Sequence, residues 1–554
     1  MNKHLLLLSL FFLLCFNLIG QDLSTMVKQK PFSFSGNLDI RGISYNMSGM
    51  ESRRKPFAWY IFGSPTFTFY GFSVPLSFSL SDQEKTFSQP FNQFGLSPRY
   101  KWITVHLGYR NVSFSPYTLA GHTIYGAGVE LKPGNFRFGF MYGRLNKGIE
   151  VDSTTGYSQA ASFSRNGYAA KIGYGSQKSF FDLSFLKAQD DTTSISQLTT
   201  DSSKRLMPEA NIVGSVVTHL TISSHLYVDA DLGLSIYTNN VNSSLKLPEL
   251  EKYNLIIPIN LSTQKFLAYS AAVGYKQKYF SLKLAYKWVE PGFKSMGTYF
   301  FNSDMEQISI APAFQVLKNR LRFSGNLGLQ WDNVRKQKTA TTSRTVFSGG
   351  LNIDFTKKLG LDIAISNYSM NSTPQVSLVN QKYLLTNTSK SYSFSPRFIL
   401  AKKSVNQMFT ANFTLSQLID ANSSTQSINE IETKMAFISY SLNFLKNAIT
   451  FNASANLIIN TLKSDETKNY GLNAGINKGI LKNKIQLGSN ISYTLSKSKG
   501  SSNVLNLGLN CLYNLSKHNR IYVRWIMLHN KPVEAGSIPS FTENTGEFGY
   551  SFSF

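Results

Sequence analysis

The chain has 554 residues, 16% charged and 14% aromatic, with two cysteines and a net charge of +25. Length alone would suggest three or four soluble domains, but so few charges beside 42 Phe and 28 Tyr argue against a string of them. One cysteine after the N-terminal region, Cys511, excludes an intrachain disulfide framework and any cysteine-built metal site.

The chain starts "MNKHLLLLSLFFLLCFNLIGQD", a short basic start followed by an apolar run from Leu5 to Leu14. This layout predicts a secretory signal peptide over residues 1–20, cut after Gly20, because the run is too short to cross a bilayer as a helix. Leu14 precedes Cys15, so that cysteine does not read as a lipid-attachment site. No later stretch is long or apolar enough for a transmembrane helix.

From residue 32 onward the signal is alternation with period two. In "GFSVPLSFSLSD" Phe72, Val74, Leu76, Phe78 and Leu80 alternate with smaller or polar residues. In "NFRFGFMYGR" Phe136, Phe138, Phe140 and Tyr142 oppose Arg137, Gly139 and Gly143. "YFSLKLAYKW", "LRFSGNLGLQW" and "NVLNLGLNCLYNL" repeat the pattern downstream, and the chain ends in the alternating aromatics of "GEFGYSFSF". Segments of about ten residues with one apolar face suit a tilted strand crossing a bilayer.

Short turns such as "KPGN", "LKNR", "TKKLG", "LKNK" and "SKHN" alternate with mostly longer polar links, including 189–210, 238–264 and 371–392. Short turns on one side and long loops on the other predict an all-β fold, a transmembrane antiparallel β-barrel occupying 21–554 without a separate plug domain. Twenty-five strands can be placed directly, but single-chain bacterial barrels have even numbers. The tight Tyr70–Gly71 turn also falls on the wrong side under that count. One strand is therefore missing or false within 82–122. About 26 strands are predicted, with 24 as the alternative, and 82–122 is a candidate inward-folded or irregular segment.

The alternating strands, loop asymmetry and aromatic last strand resemble Gram-negative outer-membrane β-barrel proteins, the porin-like class in general. The resemblance implies residence in the outer membrane as a multi-pass barrel, contact with outer-membrane lipid, and insertion by the barrel assembly machinery. That machinery reads a terminal aromatic strand, whose matching positions here are Tyr550, Phe552 and Phe554. Energised receptors of the class carry a long plug before their strands, for which this chain leaves no room.

Nothing in the sequence predicts an enzyme, metal or cofactor. Its few histidines have no metal-ligand spacing, and His106 reads as a polar lumen residue rather than a catalytic base. Alternation turns Arg110, Arg137, Lys171, Lys283, Lys287, Arg322 and Arg524 into the lumen, with Glu130, Asp229 and Asp231 on the same side. Basic residues in a wet lumen favour anions; no nucleic-acid motif accompanies them. Two functions fit: a porin-like channel or transporter for polar or anionic solutes, or a structural component whose lumen or periplasmic face hosts partner proteins.

Overall fold

The computed structural model describes residues 30–82, 90–150, 161–195, 206–245, 256–299, 302–374, 386–422, 424–498, 501–532 and 539–554. The N-terminal run expected to be a signal peptide lies outside them. The chain closes as a barrel of 26 antiparallel strands. Its first strand, β1, is Phe32–Ser35 continued as Asn37–Ser48, and β2 is Phe57–Gly63 continued as Thr66–Phe69. Each is one wall strand interrupted by a kink. At Gly36, with φ +132°, an added Cβ would strike the backbone of Ser64 and Pro65, so only glycine allows the two strands to bend together.

The wall continues with β3 (Phe72–Ser81), β4 (Gln93–Leu96 and Arg99–Tyr100), β5 (Ile103–Asn111), β6 (Thr123–Leu131) and β7 (Phe136–Asn146). Next come β8 (Ser164–Gly175), β9 (Ser179–Asp191), β10 (Ala210–Thr221), β11 (Leu226–Thr238), β12 (Thr263–Lys276), β13 (Phe280–Val289) and β14 (Met305–Val316). The far wall is β15 (Leu321–Trp331), β16 (Ala340–Asp354), β17 (Leu359–Pro374), β18 (Thr386–Ala401), β19 (Val405–Asp420) and β20 (Ile431–Phe444). It ends with β21 (Ile449–Leu462), β22 (Asp465–Ile480), β23 (Ile485–Lys497), β24 (Ser502–Asn514), β25 (Asn519–Pro532) and β26 (Phe541–Ser553).

The strand absent from the direct count is β4. Residues 93–100 are wall, paired to β3 through Leu76↔Leu96 and to β5 through Gly95↔Gly108. With β4 in place the Tyr70–Gly71 turn joins β2 to β3 at the same end as every other short turn. Part of 82–122 is thus wall: β4 and β5 lie within 93–111, and 112–122 leaves the wall.

Closure joins β1 to β26 over Asn37↔Ser553 to Ser48↔Thr542. Inside the seam, Arg41 Nε lies 3.5 Å from Glu547 Oε1, and the Tyr45 hydroxyl donates to Glu543 Oε1 at 2.5 Å. At the base, the Phe34 and Phe554 rings stack 3.7 Å apart, and Gly36 and Phe554 exchange backbone hydrogen bonds of 2.9 and 3.1 Å. A closed barrel leaves no strand edge unpaired, which a bilayer demands.

Candidate functional site

Along β7, Phe136, Phe138, Phe140 and Tyr142 are exposed on one side, while Gly139, Met141, Gly143 and Leu145 are buried on the other. The same division holds on β11, where Leu232 and Leu234 stand outside and Gly233 and Ser235 are buried inside. It recurs on the far wall, with Phe413, Ile438, Leu472 and Ile491 outside. An aqueous protein would cover such a surface; hydrocarbon solvates it. The chain is a transmembrane β-barrel.

Its buried apolar core lies inside the barrel, where two links of the long-loop side turn inward. Residues 112–122 follow β5, and 290–299 with 302–304 follow β13. They meet in a short parallel pairing, Leu119↔Gly297 and Ala120↔Thr298. Two glycines of the wall let them press close: a Cβ at Gly233 would lie 2.6 Å from Tyr117 Cβ, and one at Gly139 would lie 2.7 Å from the Phe114 ring. Leu119, Met141, Leu186, Val213 and Val289 have essentially no exposed surface. Burial of each such side chain is worth about 1.5–3 kcal/mol, so the inward segments are held as a packed core.

Polar contacts fix their register. Ser215 Oγ donates to Ser115 Oγ at 2.8 Å, and Ser295 Oγ donates to the Thr118 carbonyl at 2.6 Å. Asn211 Oδ1 accepts from the Met296 N–H at 3.0 Å, while Ser235 Oγ donates to the Lys294 carbonyl at 2.7 Å. The second segment is also tied from outside. Lys294 reaches Glu209 at 3.1 Å, and Glu209 accepts from Arg165 at 2.9 Å. From the 332–339 link, Arg335 pairs with Glu290, Lys338 Nζ lies 2.5 Å from Asp304, and the Val334 N–H donates to Asp304 at 3.0 Å. Burial alone would raise the Asp304 carboxyl, but the Lys338 hydrogen bond and the backbone N–H groups of Asn333 and Val334 hold it below the usual carboxylate range. Burial would lower Lys338, and its hydrogen bonds to Asp304 and Asp332 lift it above the usual range.

Toward the short-turn end, the luminal face beside these segments carries a belt of charge. Arg137 Nη2 lies 2.7 Å from Asp182 and its guanidinium sits 4.1 Å from the Phe180 ring centroid. Asp229 is shared by His219 at 2.6 Å and Lys283 at 3.4 Å. One rung of the sheet carries Asp231, Ser270, Lys287 and Gln307 across β11 to β14. The rung below it offers small residues, Ala272, Ala285 and Ser309, and the space they leave is a recess of about 470 Å³.

The seven basic residues expected in the lumen have distinct settings. Arg137, Lys283 and Arg322 are each within ion-pair distance of a carboxylate, Asp182, Asp229 and Asp354. Lys171 lies 5.2 Å from the Phe114 ring centroid under the inward segment, and Lys287 stands beside Ser270. Arg110 donates to Ser77 Oγ at 2.8 Å, and Arg524 is exposed, opposite Glu547 on β26. The structure therefore gathers Lys283 and Lys287 at the recess and leaves Arg110, Arg322 and Arg524 elsewhere. Asp182 and His219 did not stand out in the sequence. The signal for Asp182 was its place opposite the apolar residues Phe181 and Leu183; its pairing to Arg137 required the fold.

His106 lies between Ser97, 2.9 Å from Nδ1, and Glu130, 3.3 Å from Nε2. These distances suit a hydrolytic relay, but the Ser97 N–H donates to the Pro75 carbonyl and residue 98 is proline, with no N–H. Neither amide can stabilise an oxyanion at Ser97. The trio instead bolts β4 to β5 and β6. Across the lumen, the inner faces of β18–β24 bear neutral pairs: Asn412 to Ser393 at 2.9 Å, Thr410 to Ser439 at 2.7 Å, Asn473 to Ser454 at 3.2 Å and Asn506 to Ser492 at 3.1 Å.

No family model and no curated protein matches the chain. Among solved structures it is similar to Pseudomonas aeruginosa OccK2 (OpdF), with TM-score 0.30 and 10% identity over 94% of this chain and 98% of that one. The P pilus usher (PapC) translocation pore gives TM-score 0.38 and 9% identity over 94% and 99%. Acinetobacter baumannii OccAB3 gives TM-score 0.29 and 10% identity over 70% and 99%.

Proposed function

We propose that the barrel is a porin-like channel for polar solutes, narrowed from one side by its own residues 112–122 and 290–299. The observation that carries this reading is the asymmetry of the lumen. The inward segments pack against β7–β14, while Ser393, Ser439, Asn473 and Ser492 on the facing wall stay half-buried rather than buried. Hydroxyl and amide side chains left in reach of water make a wet path past a dry constriction. The belt favours neither ion strongly, because Arg137 and Lys283 lie against Asp182 and Asp229. Paired charges contribute little net potential to a pore.

The test is single-channel conductance in planar bilayers, comparing the native chain with one in which 113–121 is replaced by a Gly/Ser linker. A several-fold rise in conductance is expected. Unchanged conductance in a folded variant would sink the constriction. Stoichiometric proteins co-purifying from native membranes, with no conductance from the isolated barrel, would instead favour a component that hosts partners.

A further inference from the structure

We propose that the recess between β11 and β14 is a binding station for small zwitterionic solutes of short-peptide size; this rests on the channel reading and specifies what lingers in it. Acid stands on one side of the recess, Asp229 and Asp231 on β11. Amine stands on the other, Lys283 and Lys287 on β13. The floor between is small, Ala272 and Ala285, so a ligand can lie across it.

Strands β11 and β13 are two ladder spacings apart, about 9.6 Å. Across that backbone spacing the Lys283 and Asp229 heads meet at 3.4 Å, so a short peptide binds by parting the pair and lying between its members. The volume, about 470 Å³, falls in the range of small-molecule sites, roughly 300–1,000 Å³.

Charge balance supplies the selectivity. Lys283 already pairs with Asp229 at 3.4 Å. A zwitterion exchanges partners, giving its ammonium to a carboxylate and its carboxylate to a lysine, so no charge is stranded. A net anion would pair with a lysine and face Asp231 with like charge; a net cation would do the reverse. A desolvated charge left without a partner is costly, so the recess discriminates by repulsion as well as attraction.

Isothermal titration of the detergent-purified full barrel with Ala-Ala, N-acetyl-Ala-Ala and Ala-Ala amide tests the proposal. The zwitterion should bind at least about ten-fold more tightly than either blocked form, a difference of about 1.4 kcal/mol. Asp231→Asn and Lys287→Gln should each bring its affinity down to theirs. Equal affinity for the three native-chain ligands, or binding of none, overturns the station, and this comparison needs no variant to fold. Conductance of the same preparation separates the two readings. A conducting barrel without selective binding removes only the station, whereas selective binding by a barrel that never conducts removes the channel.

Discussion

Gly549 on β26 lies under the Tyr522 ring of β25, and an added Cβ would overlap the ring; Gly274 and Tyr227 repeat the arrangement on β12 and β11. A ring laid over a bare α-carbon covers the backbone on the luminal side of the seam, where Tyr522 also approaches Asp39 and Glu547. Gly549→Ala should therefore destabilise the barrel by about 1–3 kcal/mol, the usual cost of overpacking. The check is a lower temperature for loss of the folded band in heat-modifiability gels. Asp304 and Lys338 make a pH-dependent latch. A carboxyl held below its ordinary value stabilises the folded link above the unfolded value, near 3.9, and the contribution is lost as pH falls through the folded value. The raised Lys338 contributes below its unfolded value, near 10.4, and that contribution is lost as pH rises through the folded one. The latch should hold across neutral pH and loosen at both extremes. Current fluctuations should grow in acid, and Asp304→Asn should show the larger fluctuations already at pH 7. Equal noise in variant and native chain would remove the latch.

At the scale of elements, the inward segments behave as part of the core. Ser115 and Ser215 place their hydroxyl oxygens 2.8 Å apart, close enough for cysteines at both positions to bridge. In a Cys511→Ser background, Ser115→Cys with Ser215→Cys should cross-link under oxidising conditions and leave basal conductance unchanged. A cross-link that alters conductance would mean the segment moves during normal conduction. The strands were largely legible, because lipid outside and water inside impose alternation on every one. The exception, β4, reads "QFGLSPRY": Ser97 and Pro98 split it into pieces of four and two residues, too short for a periodic signal. For 112–122 the sequence offered only the broader candidate 82–122, without its partners. "VSFSPYTLAGH" has the turn residues of any surface loop, and its partners Gly139, Ser215, Gly233 and Gly297 lie far along the chain.

At the scale of the whole molecule, the last residue is part of the closure. Phe554 stacks on Phe34, which stacks in turn on Phe67 at 4.6 Å, and its backbone joins Gly36. Deleting Phe554 removes an aromatic contact of about 0.5–1.5 kcal/mol beyond its buried area, together with the seam's final hydrogen bonds. Less folded, heat-modifiable protein should be found in the membrane fraction. Unchanged levels would show that the terminal ring is dispensable for both insertion and closure.

Composition and period two by themselves determined an all-β transmembrane barrel, because each strand meets the same two solvents and records them residue by residue; direct placement stopped at 25 strands, and the parity of closed barrels supplied the twenty-sixth. They also turned Arg137, Lys283 and Lys287 inward. Only the tertiary structure decided which charges meet, since Arg137 and Asp182 lie on β7 and β9, and Asp231, Ser270 and Lys287 on three successive strands. Only it decided that 112–122 and 290–299 enter the lumen. Both depend on sheet register and on close approach to distant glycines, and neither leaves a local period in the chain.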